Sequence, residues 1–131
     1  MLPWYANEII IDGHESVLVK LLQEVLDEQG KPNLEFILPQ PVLADAAARY
    51  SWRIEQWGTA RFDHDSWRVE RREIGHAHLR GLSQSTPPTK IVETLAQSHP
   101  ELRIWFLTSG VVGPPRVRIV GLVGLKAVVE R

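Results

Sequence analysis

His76 and His78 stand two residues apart, so on a strand both imidazoles leave the same face, and Asp63-His64-Asp65 lies upstream where a hairpin would bring it close. Imidazole nitrogens and carboxylate oxygens together hold zinc and other divalent ions. His64, His76 and His78 are therefore the candidate metal ligands, and a small metal-dependent hydrolase is the activity they would serve. The spacing is weakly specific, because His-x-His pairs also occur on plain solvent faces. Exposed polar residues at a loop and a strand end are the simpler account.

Arg49, Trp52, Arg53 and Arg61 form a second candidate set, in which guanidinium and indole planes offer a surface for stacking and for phosphate or carboxylate contacts. Five tryptophans are present in all. Each buries about 150–250 Å², so core use is the first expectation for them. Trp52 is the exception, since it lies off the apolar seam of its helix beside Arg49 and Arg53.

Other chemistry is thinner. Ser83, Ser85, Ser98 and Ser109 have no nucleophile-elbow context. Gly110-Val-Val-Gly113-Pro-Pro lacks the Lys-Ser/Thr ending of a phosphate loop, and its prolines remove backbone donors such a cradle would use, so it reads as a turn. Asp12, Glu15, Glu70 and Glu73 read as surface acids. No catalytic residue and no cofactor is assigned, and whether the chain is an enzyme stays open.

The chain has 131 residues, 44% hydrophobic and 24% charged, with no cysteine. A chain of this length buries roughly two thirds of its unfolded surface, enough for one core, so residues 1–131 are expected to form a single domain. The lack of cysteine excludes a disulfide scaffold, thiol catalysis and thiolate zinc sites, and accords with a cytoplasmic setting. Met1-Leu2-Pro3-Trp4 does not read as a secretion signal. The apolar stretch from Val117 to Val129 is interrupted by Arg118 and Lys126 and falls short of the roughly 20 residues of a membrane span. The net charge of −1 hides an asymmetry: residues 1–48 carry two lysines against eight acids, and the remainder carries thirteen basic residues against eight acids. Two regions that lie against each other and cancel are the expectation, since a nucleic-acid binder usually shows a clear basic excess.

The elements that must position these residues follow from periodicity. Trp4 to Ile11 reads as a strand closed by Asp12-Gly13, and its three consecutive isoleucines place it at a sheet centre or between two covering layers. Leu18, Leu21, Leu22, Val25 and Leu26 share one helical face, ended by Gly30. Leu34 to Leu38 reads as a short extended segment checked by Pro39 and Pro41. Leu43, Ala47, Tyr50, Ile54 and Trp57 then line the seam of a second helix. Strands are expected over Arg61 to Ile74, His76 to Leu82 and Leu102 to Leu107. Between the last two, Thr86 caps a helix that buries Ile91, Val92, Leu95 and Ala96. Residues 108–131 fit further strands or a helix, with Gly121 and Gly124 marking a bend. Setting aside residues 33–58 as an insertion with a Pro-rich strand and a helix leaves β-α-β-β-α-β, an α+β ferredoxin-like sandwich with strands one and three central.

The landmarks Trp4-Tyr5-Ala6-Asn7, Phe36-Ile37-Leu38-Pro39-Gln40-Pro41, Trp52, Trp57-Gly58-Thr59 and Thr86-Pro87-Pro88 occur in that order. In this the chain resembles the YubB-type ferredoxin-like family, bacterial proteins of which many are encoded on plasmids, phages and other mobile elements. The family often has cysteine where Tyr5 stands, Lys-Trp where Ala60-Arg61 stands, and Trp-Ser where Ser85-Thr86 stands. The resemblance implies the fold and a mobile-element setting, and it carries over no active site.

An accessory domain that binds another protein or a second copy of itself is the reading these features favour, motivated by the apolar tail from Ile119 to Val129. A nucleic-acid-binding module using an Arg/Trp face is the alternative, and the metal-dependent hydrolase is third.

Overall fold

The computed structural model describes residues 3–110, 116–120 and 126–130. Strand β1 (Trp4–Asp12) is followed by helix α1 (Glu15–Val25), a 3₁₀ turn (Leu34–Phe36), helix α2 (Ala46–Gln56), strands β2 (Arg61–Glu73) and β3 (His76–Gln84), helix α3 (Thr89–Ser98) and strand β4 (Arg103–Gly110). Strands β5 (Arg116–Val120) and β6 (Lys126–Glu130) complete the described elements. β1 to β4 form one antiparallel sheet in the order β2-β3-β1-β4. β5 and β6 pair with each other, and β5 lies beside β4. The chain is thus an α+β domain whose two central strands are β1 and β3.

Alternation decides which residues go inside. Ile9 and Ile11 of β1, Ala77 and Leu79 of β3, and Ile104 and Phe106 of β4 point to one side of the sheet. They meet Leu18, Leu21, Leu22 and Val25 of α1 and Ile91, Val92, Leu95 and Ala96 of α3 in a single buried cluster. The stripes read for α1 and α3 are buried, save Leu26, which follows α1 and is half-buried. On the same side, Asn7 donates to the Gly81 carbonyl and the Ser83 hydroxyl and accepts from Thr108 at 3.0 Å, so a buried polar knot ties β1 to both neighbours.

An aromatic chain closes one flank. Trp52 meets Trp57 edge-on at 5.4 Å between centroids, Trp57 meets Phe62 at 5.5 Å, and Phe62 meets Trp67 at 6.0 Å. Both buried indoles are satisfied, Trp57 Nε1 donating to the Leu38 carbonyl and Trp67 Nε1 to that of Leu82. Trp67 lies over Gly81, where a Cβ would fall 2.0 Å from the indole. Glycine is required there by close approach.

Several expectations are corrected. Residues 34–36 form a 3₁₀ turn capped by the Asn33 side chain, so the insertion at 33–58 contains no strand. In α2 the expected seam is displaced: Ala47 and Tyr50 are exposed, while Ala48, Arg49, Trp52, Arg53 and Ile54 are half-buried and no residue is fully buried. Trp52 outcompetes Tyr50 because its indole reaches Trp57 and joins the main core. Thr86 does not cap α3; its hydroxyl donates to the Gly58 carbonyl, and Pro88 occupies the cap position. Two tryptophans, Trp4 and Trp105, lie outside the core. The ambiguous tail contains the two strands β5 and β6, whereas the expected bend at Gly121 and Gly124 and the loop at 111–115 lie outside the described residues.

Candidate functional site: the outer face of the sheet

The side chains that alternate away from the helices form a second surface. Cross-strand register arranges them in rows: Glu73, His76, Asp12 and Arg103 in one, then Arg71, His78, Ile10 and Trp105, then Arg68, Arg80, Glu8 and Leu107. The buried residues of α1 and α3 all belong to the opposite layer. Every residue in these rows is half-buried or exposed. The isoleucine run is therefore split: Ile9 and Ile11 are fully buried, while Ile10 between them looks outward beside Trp105.

Polar groups on this face are paired. His76 Nδ1 lies 2.5 Å from Asp12 and His78 Nε2 2.9 Å from Glu8. Arg68 and Arg71 donate to Glu70 and Glu73, each at 2.7 Å, and Arg80 stands 3.9 Å from Glu70. The hydrogen bond from Arg68, with the added charges of Arg68 and Arg80, holds the Glu70 carboxyl below the usual value of 4.5. Arg61 lies over the Trp4 ring at 5.5 Å and Arg103 over Trp105 at 5.4 Å. Each cation thus covers an outward-facing indole.

Two irregularities in β2 shape the surface. Between Asp63 and Arg68 the register with β3 shifts, and Ser66 bridges the gap by accepting from the Leu82 N–H and donating to the Asp63 carbonyl. A hollow of about 420 Å³ opens there, between Asp65, Ser66 and Arg68 on one side and Arg80 and Leu82 on the other. A second shift leaves Glu70 without an opposite residue between Val69 and Arg71.

The residues singled out from sequence spacing do not converge. His64 binds Glu35 of the 3₁₀ turn at 2.6 Å, and the register places its neighbour Asp63 opposite Leu82, four residues from His78. His76 and His78 each face a different carboxylate. Among the described residues no group of three or more His, Cys, Asp or Glu side chains is arranged to hold a metal ion. Arg49 donates to the Leu43 carbonyl, and Arg53 donates to Gln40 and the Ala60 carbonyl while lying 5.6 Å from the Trp57 ring. Arg53 and Trp52 fasten α2 to the domain, and Arg49 ties it to the segment just before it. Arg61 stands apart from them over Trp4.

A second sheet face was expected, but Ile10, Trp105 and Leu107 were not assigned to it because they look like core residues by type. The available signal was parity: Arg103, Trp105, Leu107 and Ser109 alternate with the apolar Ile104 and Phe106.

No family model matches the chain, and neither does any curated protein or solved structure. No described helix is long and apolar enough to cross a membrane.

Proposed function

We propose that the chain is an accessory domain of ferredoxin-like βαββαβ type, with residues 33–58 inserted between its first helix and second strand, that docks another polypeptide on the outer face of its sheet. The antiparallel order β2-β3-β1-β4 supports that topology. The YubB-type resemblance supports the fold and a setting on plasmids or phages, and the lack of cysteine accords with the cytoplasm.

The observation that carries the docking reading is the cluster Ile10, Trp105 and Leu107, partly exposed at the centre of a face bordered by both signs of charge. Protein interfaces have this anatomy: an apolar or aromatic anchor, arginine enriched, and a polar border that excludes water. The fitting partner is a polypeptide presenting an apolar side chain to Trp105, flanked by an acid for Arg71 or Arg80 and a base for Glu8 or Asp12. Photo-crosslinking from position 107 of the full chain in its native cells, followed by titration of the captured protein, tests this. Trp105→Ala should weaken the affinity at least about tenfold, the effect expected of an interface anchor, while Tyr50→Ala on α2 leaves it unchanged. Equal crosslinking from positions 50 and 107 would reject the assignment.

Arg61 over Trp4 and Arg103 over Trp105 favour a second reading, single-stranded nucleic acid stacked on the same face. Glu8, Asp12, Asp63, Glu70 and Glu73 share that face and repel phosphate, which places this reading second. Oligonucleotide binding that weakens steeply with salt and is lost in Trp105→Ala would reverse the order.

A further inference from the structure

β2 is an edge strand, hydrogen-bonded among the described strands to β3 alone, whereas β4 at the opposite edge has β5 beside it. Its outer end reads Arg68-Val69-Glu70-Arg71-Arg72-Glu73. Arg68, Arg71 and Glu73 are exposed, with side chains 62%, 65% and 56% accessible. We propose that this edge pairs antiparallel with the same edge of a second copy of the chain, joining two four-stranded sheets across a two-fold axis.

The order of charges is self-complementary when one strand is reversed against the other. With the axis between Glu70 and Arg71, Arg68 stands opposite Glu73 of the second copy, Glu70 opposite its Arg71, and Val69 opposite its Arg72. Four opposite-charge pairs result, counting both halves, and no like charges face each other. Directly opposed charges of opposite sign stabilise a strand pair, and like charges destabilise it.

Side-chain direction provides a stricter check. Directly opposed residues of an antiparallel pair share a face, and successive residues of a regular strand do not. A regular strand therefore cannot pair with itself about an axis between two residues. The shift at Glu70 removes that obstacle. Arg68, Arg71 and Glu73 stand opposite Arg80, His78 and His76 on the outer face, and the Glu70 carboxylate reaches Arg68 and Arg80 on that face too. Val69 and Arg72 stand opposite Leu79 and Ala77 on the helix side. All three pairs then match in face as well as in charge. Charges and a bulge discourage an edge from pairing with arbitrary strands. A strand carrying the same charges in reverse order is the one they admit.

Sedimentation of the full chain up to about 1 mM tests the pairing, at concentrations suited to a small interface. The wild type should show a concentration-dependent dimer. The double variant Arg71→Glu/Glu73→Arg keeps an opposite-charge pair within the chain but sets like charges across the axis, as does Arg68→Glu/Glu70→Arg. Each alone should dissociate at least about tenfold more readily than the wild type. An equimolar mixture of the two variants restores every opposite-charge pair and should form a heterodimer. A wild type that remains monomeric throughout overturns the proposal, as do variants that associate as the wild type does, or a folded mixture that stays monomeric. The Arg68→Glu/Glu70→Arg variant leaves Ile10, Trp105, Leu107, Arg71 and Arg80 unchanged, so its loss of self-pairing can be read separately from docking on the outer face.

Discussion

Single atoms decide much of this sheet. A methyl group at position 81 has no room, because the Trp67 indole occupies the space where a Cβ would stand. Gly81→Ala must push the indole or bend β3, an overpacking cost of typically about 1–3 kcal/mol that urea denaturation would register. An unchanged midpoint would mean that Trp67 does not lie there. Asn7 is equally constrained. It is 1% exposed, and its amide is partnered by Gly81, Ser83 and Thr108. Asn7→Ala leaves the Thr108 hydroxyl without its acceptor and should cost about 1–3 kcal/mol, the penalty of a buried unpaired polar group. Thr108→Val removes the same bond from the other side, so the double variant should lose less than the two single losses added together. Strict additivity would deny the contact.

At the scale of elements, the β2–β3 hairpin is held to the start of α1 by one side chain. Glu15 accepts from Arg72 through both oxygens, at 3.0 and 2.7 Å, and from the Gly75 N–H at 2.8 Å. The Arg72 hydrogen bonds, followed by the Gly75 donor, hold the Glu15 carboxyl below its usual value of 4.5. A carboxyl with a depressed folded-state pKa contributes stability that is present above 4.5 and lost as pH falls through the lower, folded-state value. Glu15→Gln should therefore lose stability near neutral pH and show a flatter acid limb in urea titrations. Parallel limbs would show that the carboxylate contributes nothing. The elements readable from the sequence were those with strong periodicity: apart from Leu26, which falls just past the end of α1, α1 and α3 bury the residues their spacing assigns. α2 was misread because periodicity ranks residues by type and cannot register that Trp52 has Trp57 within reach while Tyr50 has solvent. The partners of the candidate metal ligands were illegible for a related reason. Spacing placed His76 and His78 on one face, but which carboxylate each would meet depends on β1, more than sixty residues earlier in the chain.

For the whole molecule, the acidic first part of the chain meets the remainder, among the described residues, through a pair of formal charges, Glu15 with Arg72, and through four carboxylates that face histidines. Glu8, Asp12, Glu15, Glu24 and Glu35 from the acidic first 48 residues meet His78, His76, Arg72, His99 and His64 from the basic remainder. Adjacent strands bring Glu8 and Asp12 to His78 and His76, while the other three pairs join α1 and the 3₁₀ turn to β2 and to the end of α3. The same layering sets a prediction in the isoleucine run of β1. Ile9 is fully buried between sheet and helices, and its neighbour Ile10 looks outward beside His78 and Trp105. Removing Ile9 opens a cavity in a closed core, so Ile9→Ala should cost about 2–5 kcal/mol. Ile10→Thr keeps the β-branch and replaces the ethyl arm with a hydroxyl on a surface already in contact with water, so its cost should stay within about 1 kcal/mol. Chemical denaturation of the two variants measures how one-sided the sheet is. Equal losses would mean that a second layer covers the outer face, and the surface on which Trp105 is proposed to receive a partner would not be free.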